Sequence, residues 1–324
     1  MVKHISIKNF KSIKNLDFEA RRVNVFIGEP NAGKSNILEA LGVFTPGVDW
    51  RDIVRVESDE NVFFENNTTT ISTIIAHKEE DSFPYVAKFW LNGDRVEAEI
   101  GETYPEYDPQ DSTVEIKVES KVEGLFRYYK FAVPESFKIS SNKFLNSPNG
   151  SNLLFLLNNN KDFRELVVDL LSNIGFKFNL RIGERKLEIA REIDGVLISH
   201  PYKTISDTFQ RIIFYLAAIE SNKNAVLLFE EPEANTFPFY TKELAEKIAL
   251  DVDNQYFLVT HNPYLLNTLI EKTPIEDLNI FVTYMKDYET HVHPMSKEDI
   301  AEVFDFDEAV FFNLDRYLDE SIHS

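Results

Sequence analysis

The feature of this sequence that most constrains its fold is a glycine-rich segment near the N-terminus. The segment has the spacing G-x-x-x-x-G-K-[ST], and its residues are Gly28, Glu29, Pro30, Asn31, Ala32, Gly33, Lys34 and Ser35. A mostly apolar run over 23–27 predicts a strand before it, and apolar residues at helical spacing over 36–44 predict a helix after it. A strand, a glycine turn and a helix in this order are typical of a phosphate-binding loop in an α/β protein.

Each part of such a loop has its own task in holding phosphate. The glycines let successive backbone N–H groups point at phosphate oxygens, and the start of the following helix adds the positive end of its dipole. Lys34 is expected to reach the terminal phosphates, and the Ser35 hydroxyl is expected to hold Mg²⁺. We therefore predict that residues 28–36, including Asn36, bind a nucleotide.

A second group of polar residues follows an apolar run in the C-terminal half. The run 225–229 has the length of a buried strand, and Glu230, Glu231, Pro232 and Glu233 come directly after it. Ligands bind at the carboxyl ends of parallel strands, and carboxylates crowded there repel one another unless a cation lies among them. Glu230 is therefore predicted to support Mg²⁺ indirectly, by contact with a ligand of the ion or through a bridging water molecule. Glu231 is predicted to polarise the attacking water.

Two further residues have positions that match these. His261 ends the apolar run 256–260, so its imidazole is expected level with the carboxylates and within reach of a γ-phosphate. Ser206 opens a predicted helix, where serine is a good N-cap and an uncovered helix start binds anions. Serine before a helix is also ordinary capping chemistry, so this pattern alone does not distinguish a cap from a site.

Composition excludes several classes of protein. The 324 residues include no cysteine, which rules out a disulfide framework and thiolate metal sites. No apolar run approaches the roughly 20 residues of a membrane span, and the N-terminus lacks the apolar core of a signal peptide, so we expect a cytoplasmic protein without a membrane partner. The net charge of −20 argues against a general nucleic-acid surface. The net charge does not exclude a local nucleic-acid-binding patch, because the first 22 residues are basic.

The motifs together resemble the ABC-type ATPases, and within them the SMC, RecF and OLD branch. The resemblance rests on the phosphate loop, Ser206, the Glu230 to Glu233 run and His261. Further matches are Asn9 to Ile13, Leu38 to Leu41, and the run from Glu231 to Asn235 that leads to Pro238. This resemblance implies a P-loop NTPase with ABC-ATPase head architecture, in which helices flank a mixed central sheet and an antiparallel β subdomain is added.

The resemblance also implies a mode of action. Two heads would pair head to tail as a homodimer with ATP and Mg²⁺ between them, and hydrolysis would be slow. Ser206 would then touch the γ-phosphate of ATP held by the partner, and residues 233–235 would form the loop that crosses between the two sites. The chain departs from the family pattern at Thr208, where a glycine is usual, and at Glu230, where most ABC proteins have aspartate. Gln110 is a candidate for the glutamine that links the lobes.

We divide the predicted head into four parts. Residues 1–135 form a nucleotide-binding lobe with antiparallel β elaboration, 136–200 a helical and β insert, 201–290 the second lobe, and 291–324 an acidic tail. Within them we predict strands over 62–64, 114–118 and 125–133, one helical stretch over 151–173, and two strands over 176–182 and 186–198. His291 and His293 share a strand face, but without a third ligand a structural role is favoured over metal binding.

Three functions remain open at this point. The first is an ATPase that dimerises on ATP and gates a partner protein, with a role in defence against foreign DNA suggested by the OLD resemblance. The second is a RecF-like clamp that binds DNA through the basic N-terminal strands. The third is a scaffold that docks an effector protein. We expect a stand-alone head in each case, without a coiled-coil arm or an appended nuclease domain.

Overall fold

The computed structural model describes residues 1–78, 83–102, 125–134, 136–306, 311 and 313–318. Its strands are β1 (Val2–Phe10), β2 (Ile13–Glu19), β3 (Val23–Gly28), β4 (Ser72–Lys78), β5 (Tyr85–Asn92), β6 (Arg95–Glu102), β7 (Phe126–Tyr129), β8 (Lys177–Arg181), β9 (Lys186–Ile193), β10 (Val196–Pro201), β11 (Val226–Glu230), β12 (Gln255–Val259), β13 (Leu278–Lys286) and β14 (Glu289–Pro294). Its helices are α1 (Lys34–Gly42), α2 (Leu153–Asn159), α3 (Lys161–Ser172), α4 (Asp207–Ser221), α5 (Pro238–Leu250), α6 (Pro263–Lys272) and α7 (Lys297–Phe306).

A six-stranded sheet with the order β14-β13-β3-β12-β11-β7 forms the centre of the fold. All of its neighbouring pairs are parallel except β13 with β14. Every residue of β3 and β12 is buried, which explains why these strands are continuous apolar runs rather than alternating ones. The register pairs Val259 with both Phe26 and Glu230, so the carboxyl ends of β3, β11 and β12 reach one edge of the sheet.

A second, five-stranded sheet is antiparallel and has the order β2-β1-β4-β5-β6. Helix α1 lies between the two sheets: Ile37 and Leu41 share one apolar cluster with Ile7 of β1 and Leu228 of β11. This packing holds the helix that follows the phosphate loop rigidly against both layers. The predicted mixed central sheet and the antiparallel β subdomain are thus confirmed.

Two predicted strands in the first lobe are wrong. Val62 ends one short 3₁₀ turn, Asp59–Val62, and Phe64 begins another, Phe64–Asn66, with Phe63 between them. The side chains of all three are buried because this loop covers the core. The run 125–133 contributes only β7, which joins the central sheet parallel to β11 instead of the antiparallel one. All four residues of β7 are buried, so its pattern cannot show which sheet it joins. The predicted strand 114–118 and Gln110 lie outside the described residues.

The insert also differs from its prediction. The helical stretch 151–173 is two helices, because the Asn160 side chain accepts a hydrogen bond from the Phe163 N–H at 3.0 Å and so begins α3. The predicted strand 186–198 is the hairpin β9–β10, which turns at Asp194 and Gly195 with φ values of 51° and 80°. Together with β8 it forms a three-stranded sheet in the order β10-β9-β8.

Part of the acidic C-terminal segment is the amphipathic helix α7. Ile300 and Val303 of α7 are buried in the core, while acidic residues such as Glu298 and Asp299 begin the helix. His291 of β14 stacks on Tyr284 of β13 with ring centroids 5.3 Å apart. None of the helices in the described part of the chain combines the length and the apolar composition that crossing a membrane needs.

Candidate functional site

Two positions of the phosphate loop lie so close to neighbouring strands that only glycine fits there. A Cβ atom on Gly28 would lie 2.1 Å from the Thr283 carbonyl oxygen of β13. A Cβ atom on Gly33 would lie 1.9 Å from Oγ1 of Thr290 in β14, and its φ of 94° is itself unfavourable for other residues. The neighbouring strands therefore determine the shape of the loop.

Hydrogen bonds tie the start of α1 to the N-terminal strands. The Asn36 amide donates to the Ser12 hydroxyl at 2.6 Å, and that hydroxyl lies 2.6 Å from Oγ1 of Thr290. Ser12 belongs to the turn between β1 and β2, so three separate elements meet at the loop. The first N–H groups of a helix have no partner within it, so the start of α1 and the positive end of its dipole are suited to an anion.

Lys34 is the buried cation of this site. Its ammonium donates to the carbonyl oxygens of Gly28 at 2.9 Å and Glu29 at 2.6 Å. Burial lowers the pKa of Lys34 to about 8, although the charges of Glu231 and Glu29 oppose this shift. The side chain is thus still mainly protonated at pH 7, and phosphate oxygens placed in the loop would be stronger acceptors than the carbonyls it contacts.

Glu230, the last residue of β11, is held by donors on three sides. Its carboxylate accepts from the Tyr128 hydroxyl and from Arg55 at 2.9 Å each, and the Lys130 ammonium lies 3.5 Å away. Burial acts to raise the pKa of this carboxyl, but the Arg55 charge and a hydrogen bond from Ser35 outweigh burial, so the pKa lies below its ordinary value. The structure therefore brings together Ser35 and an ionised Glu230, the two residues predicted to support Mg²⁺.

Metal binding here would need the nucleotide as well as the protein. Among the residues that the structure describes, no three His, Asp or Glu side chains are grouped as a metal site. Mg²⁺ is commonly held by one or two protein oxygens together with phosphate oxygens and water. The pair of Ser35 and Glu230 fits that pattern, because the Ser35 hydroxyl could bind the ion directly and the Glu230 carboxylate could accept hydrogen bonds from its water molecules.

Glu231 and His261 face each other beyond the strand ends. Glu231 has a φ of 44°, and its N–H donates to the Val259 carbonyl at 3.0 Å, so it turns out of β11 toward the end of β12. Nε2 of His261 lies 3.6 Å from Oε1 of Glu231. Burial and the Lys34 charge lower the pKa of His261, against the effect of Glu231, so the imidazole is mainly neutral at pH 7. Lys34, Glu231 and His261 therefore share one small region.

An ion-pair network behind the site was not predicted. Glu39 of α1 is fully buried and accepts from Lys11 at 2.7 Å and from Arg55 at 2.5 Å. Arg55 also binds Glu230, so it connects the helix of the phosphate loop to the last residue of β11. The sequence signal was Glu39 itself, a carboxylate among apolar residues on a helix between two sheets, which needs a buried cationic partner.

Glu233 connects the turn after β11 to the residues that end β12. Its Oε1 accepts from the Thr260 hydroxyl at 2.5 Å and from the His261 N–H at 3.3 Å, and its side chain is buried. Among the described residues, its Oε2 has no hydrogen-bond partner. Burial raises the pKa of Glu233 from 4.5 to about 7, although the Thr260 hydrogen bond opposes this shift.

We expect Glu233→Gln to stabilise the protein in a pH-dependent manner. Between pH 4.5 and 7 the folded chain keeps a proton on Glu233 that the unfolded chain has lost, so this group lowers the free energy of unfolding as pH rises. Glutamine keeps the Oε1 acceptor and cannot ionise. The variant should exceed wild type by about 1–3 kcal/mol at pH 8 and match it near pH 4.5, as measured by urea unfolding. Glu276→Gln, an exposed control, should shift neither value; an equal gain at both pH values would contradict the assignment.

Ser206 lies apart from the groups described so far. It occupies the N-cap position of α4 and is exposed, and within the described chain its hydroxyl makes no capping hydrogen bond. Thr208, the position where a glycine is usual in the family, donates its hydroxyl to the Asn235 carbonyl at 3.1 Å. No hydrogen bond between described residues links Ser206 to the phosphate loop of its own chain. The contact of Ser206 with the phosphate held by a second copy stays a prediction.

Comparisons with known proteins agree with this fold. Residues 1–190 match the family model described as "AAA ATPase domain". An Smc head bound to the C-winged helix domain of ScpA has 13% identity, and the alignment covers 93% of this chain and 99% of that one with a TM-score of 0.58. An Smc head domain with an extended coiled coil, in a Pyrococcus furiosus complex with the C-terminal domain of ScpA, has 13% identity. That alignment covers 94% of this chain and 98% of the other one, with a TM-score of 0.55. At this identity the two structures establish the fold alone. No curated protein matched the sequence.

Proposed function

Because the chain belongs to the AAA ATPase domain family, we propose that it hydrolyses ATP in a head-to-tail dimer and uses this cycle to gate a partner protein. The observation that carries the proposal is the meeting of Lys34, the Ser35–Glu230 pair and the Glu231–His261 pair at one edge of the central sheet. Each group sits where a strand of a parallel sheet ends, which is where such folds bind ligands. In this proposal the lobes 1–135 and 201–290 form one head.

The geometry supports a division of tasks in hydrolysis. Lys34 and the N–H groups of residues 33–35 would bind the phosphates, and Mg²⁺ beside Ser35 and Glu230 would neutralise charge that develops on them. Glu231 would orient the attacking water, because its carboxylate is exposed and faces the same space as Lys34. His261, mainly neutral, would donate a hydrogen bond to the γ-phosphate while Glu233 holds its backbone in place.

Dimerisation is supported by the position of Ser206. Its exposed hydroxyl and the start of α4 are suited to an anion, and they line a cavity to which no residue of the phosphate loop contributes. A head-to-tail pair would place each Ser206 at the loop of the other copy, so that each site is complete only when two copies meet. Contacts to the γ-phosphate would then close the dimer, and their loss after hydrolysis would open it.

The rate at which the Glu231→Gln variant releases phosphate from ATP tests this function. The amide cannot accept a proton from the attacking water, so the rate of ATP hydrolysis should fall by about 100-fold or more. Light scattering should show that this variant is dimeric with ATP and Mg²⁺ and monomeric without ATP, since closure no longer ends in hydrolysis. Glu276→Gln, exposed and remote, should hydrolyse ATP at the wild-type rate. Equal rates in all three proteins would refute the proposed ATPase.

The structure makes the DNA-clamp alternative less favourable. Several basic residues of the N-terminal strands already bind carboxylates in the chain: Lys11 pairs with Glu39, and Lys14 with Glu289. Arg22 is buried and pairs with Asp277. We therefore favour a protein partner in the cytoplasm, docked by the acidic tail 291–324 or the insert 136–200, with defence against foreign DNA as its setting. The partner can be sought by pull-down with ATP-trapped Glu231→Gln.

A further inference from the structure

The hairpin β13–β14 projects beyond the phosphate edge of the central sheet. Thr283 pairs with Gly28, so residues 284–288 continue past the point where β3 becomes the phosphate loop. Pro30 and Ala32 of the loop line a common cavity with residues 282–286 of this hairpin. The tip of the hairpin is therefore on the surface that the proposed second copy would approach.

The tip presents a large aromatic residue in an unfavourable backbone conformation. Asp287 and Tyr288 have φ values of 52° and 62° and form a two-residue turn between the paired residues Lys286 and Glu289. Such turns usually contain Asn, Asp or Gly, and a bulky residue at positive φ is an outlier. The Tyr288 side chain is 86% exposed. Backbone strain that keeps an aromatic ring in solvent is characteristic of a binding contact.

A groove of complementary character lies beside Ser206. Its volume is about 450 Å³, and its apolar lining includes Ile174, Phe176 and Phe209. Arg191 of β9 adds a positive charge to the lining, and His200 of β10 and Ser206 add polar groups. An aromatic ring can fill the apolar part of this groove while an acidic neighbour meets Arg191.

We propose that Tyr288 of each copy inserts into this groove of the other copy, with Asp287 facing Arg191. This contact rests on the proposed head-to-tail dimer, because that arrangement places Ser206 against the partner's phosphate loop and hence the groove against the partner's hairpin. Two-fold symmetry would produce the contact twice in each dimer. The insert 136–200 would then take part in dimer closure through its β9–β10 hairpin.

The absence of cysteine from the sequence makes the contact testable by a disulfide. Tyr288→Cys and Phe176→Cys, introduced together into Glu231→Gln, should produce a covalent dimer when an oxidant is added with ATP and Mg²⁺. The control pair Val252→Cys and Phe176→Cys should not, because Val252 is 73% exposed but precedes β12 at the opposite edge of the sheet. If Glu231→Gln dimerises with ATP and the first pair does not cross-link, the Tyr288 contact is refuted while the proposed dimer is not. If Glu231→Gln does not dimerise, the proposed dimer is refuted with it.

Affinity measurements on the same background test the chemistry of the contact. Tyr288→Ser should weaken the ATP-dependent dimer about tenfold or more, whereas Tyr288→Phe should stay within about twofold. Asp287→Arg and Arg191→Asp should each weaken it, and their combination should restore it. Unchanged dimer affinity in both Tyr288→Ser and Arg191→Asp would overturn the proposal.

Discussion

Replacing Lys34 with methionine is expected to lower the rate of ATP hydrolysis by about two to three orders of magnitude. The ammonium is buried in the phosphate loop and contacts the Gly28 and Glu29 carbonyls, where a bound phosphate would lie beside it. Methionine has a similar length but no charge, so the effect isolates electrostatics from packing. Weaker nucleotide binding should accompany the loss of rate, because Lys34 contacts phosphate before and during the reaction.

Phosphate release and binding of a fluorescent ATP analogue would measure the two effects separately. Lys8→Met is a suitable control, since Lys8 is an exposed residue of β1 and loses the same charge from the protein. It should retain wild-type rate and affinity. A Lys34→Met protein that is folded and hydrolyses ATP normally would show that the loop is not the catalytic phosphate site.

Arg22→Met is expected to lower the free energy of unfolding by about 2–4 kcal/mol, because buried carbonyl oxygens lose their donor. The Arg22 guanidinium is buried and donates to the carbonyls of Ala249 at 2.9 Å and Asp251 at 2.5 Å, and to the Asp277 carboxylate at 3.0 Å. These acceptors include the last carbonyls of α5, which have no partner within the helix. Removing the guanidinium leaves them and Asp277 without their donor.

Urea unfolding followed by tryptophan fluorescence would measure this loss, because Trp50 is buried in the folded protein. Arg95→Met is the matched control: Arg95 is exposed at the start of β6, and its replacement should change the free energy by at most about 0.5 kcal/mol. Similar effects of the two substitutions would contradict the role given to Arg22.

The fold and the meeting of the candidate site residues could be predicted for a common physical reason. The phosphate loop from Gly28, Glu230 and His261 each come directly after an apolar run, and parallel strands that are buried on both faces bring their carboxyl ends to one edge. Local sequence is then sufficient to place residues that are far apart in the chain. Their roles in hydrolysis stay predictions, which the substitutions at Lys34 and Glu231 address.

Other features depend on partners that local patterns do not identify. Arg55 binds Glu39 and Glu230, and neither contact follows from the spacing of residues along the chain. Strand β7 has the same apolar pattern in either sheet, so only the tertiary fold decides its neighbour. The β9–β10 turn is different, because the Asp194-Gly195 pair between apolar runs is a hairpin signal that the sequence contains.

The three donors around Glu230 have a consequence for the choice of cation. A carboxylate that Tyr128, Arg55 and Lys130 already immobilise has little side-chain entropy left to lose, so the site is preorganised. The same donors occupy its lone pairs and compete with direct coordination. A small ion that keeps its own water molecules can still bind through them, whereas a larger ion that needs many protein oxygens cannot. In the proposed enzyme, the Glu230 carboxylate would bind the water molecules of the ion and would therefore favour Mg²⁺ over Ca²⁺.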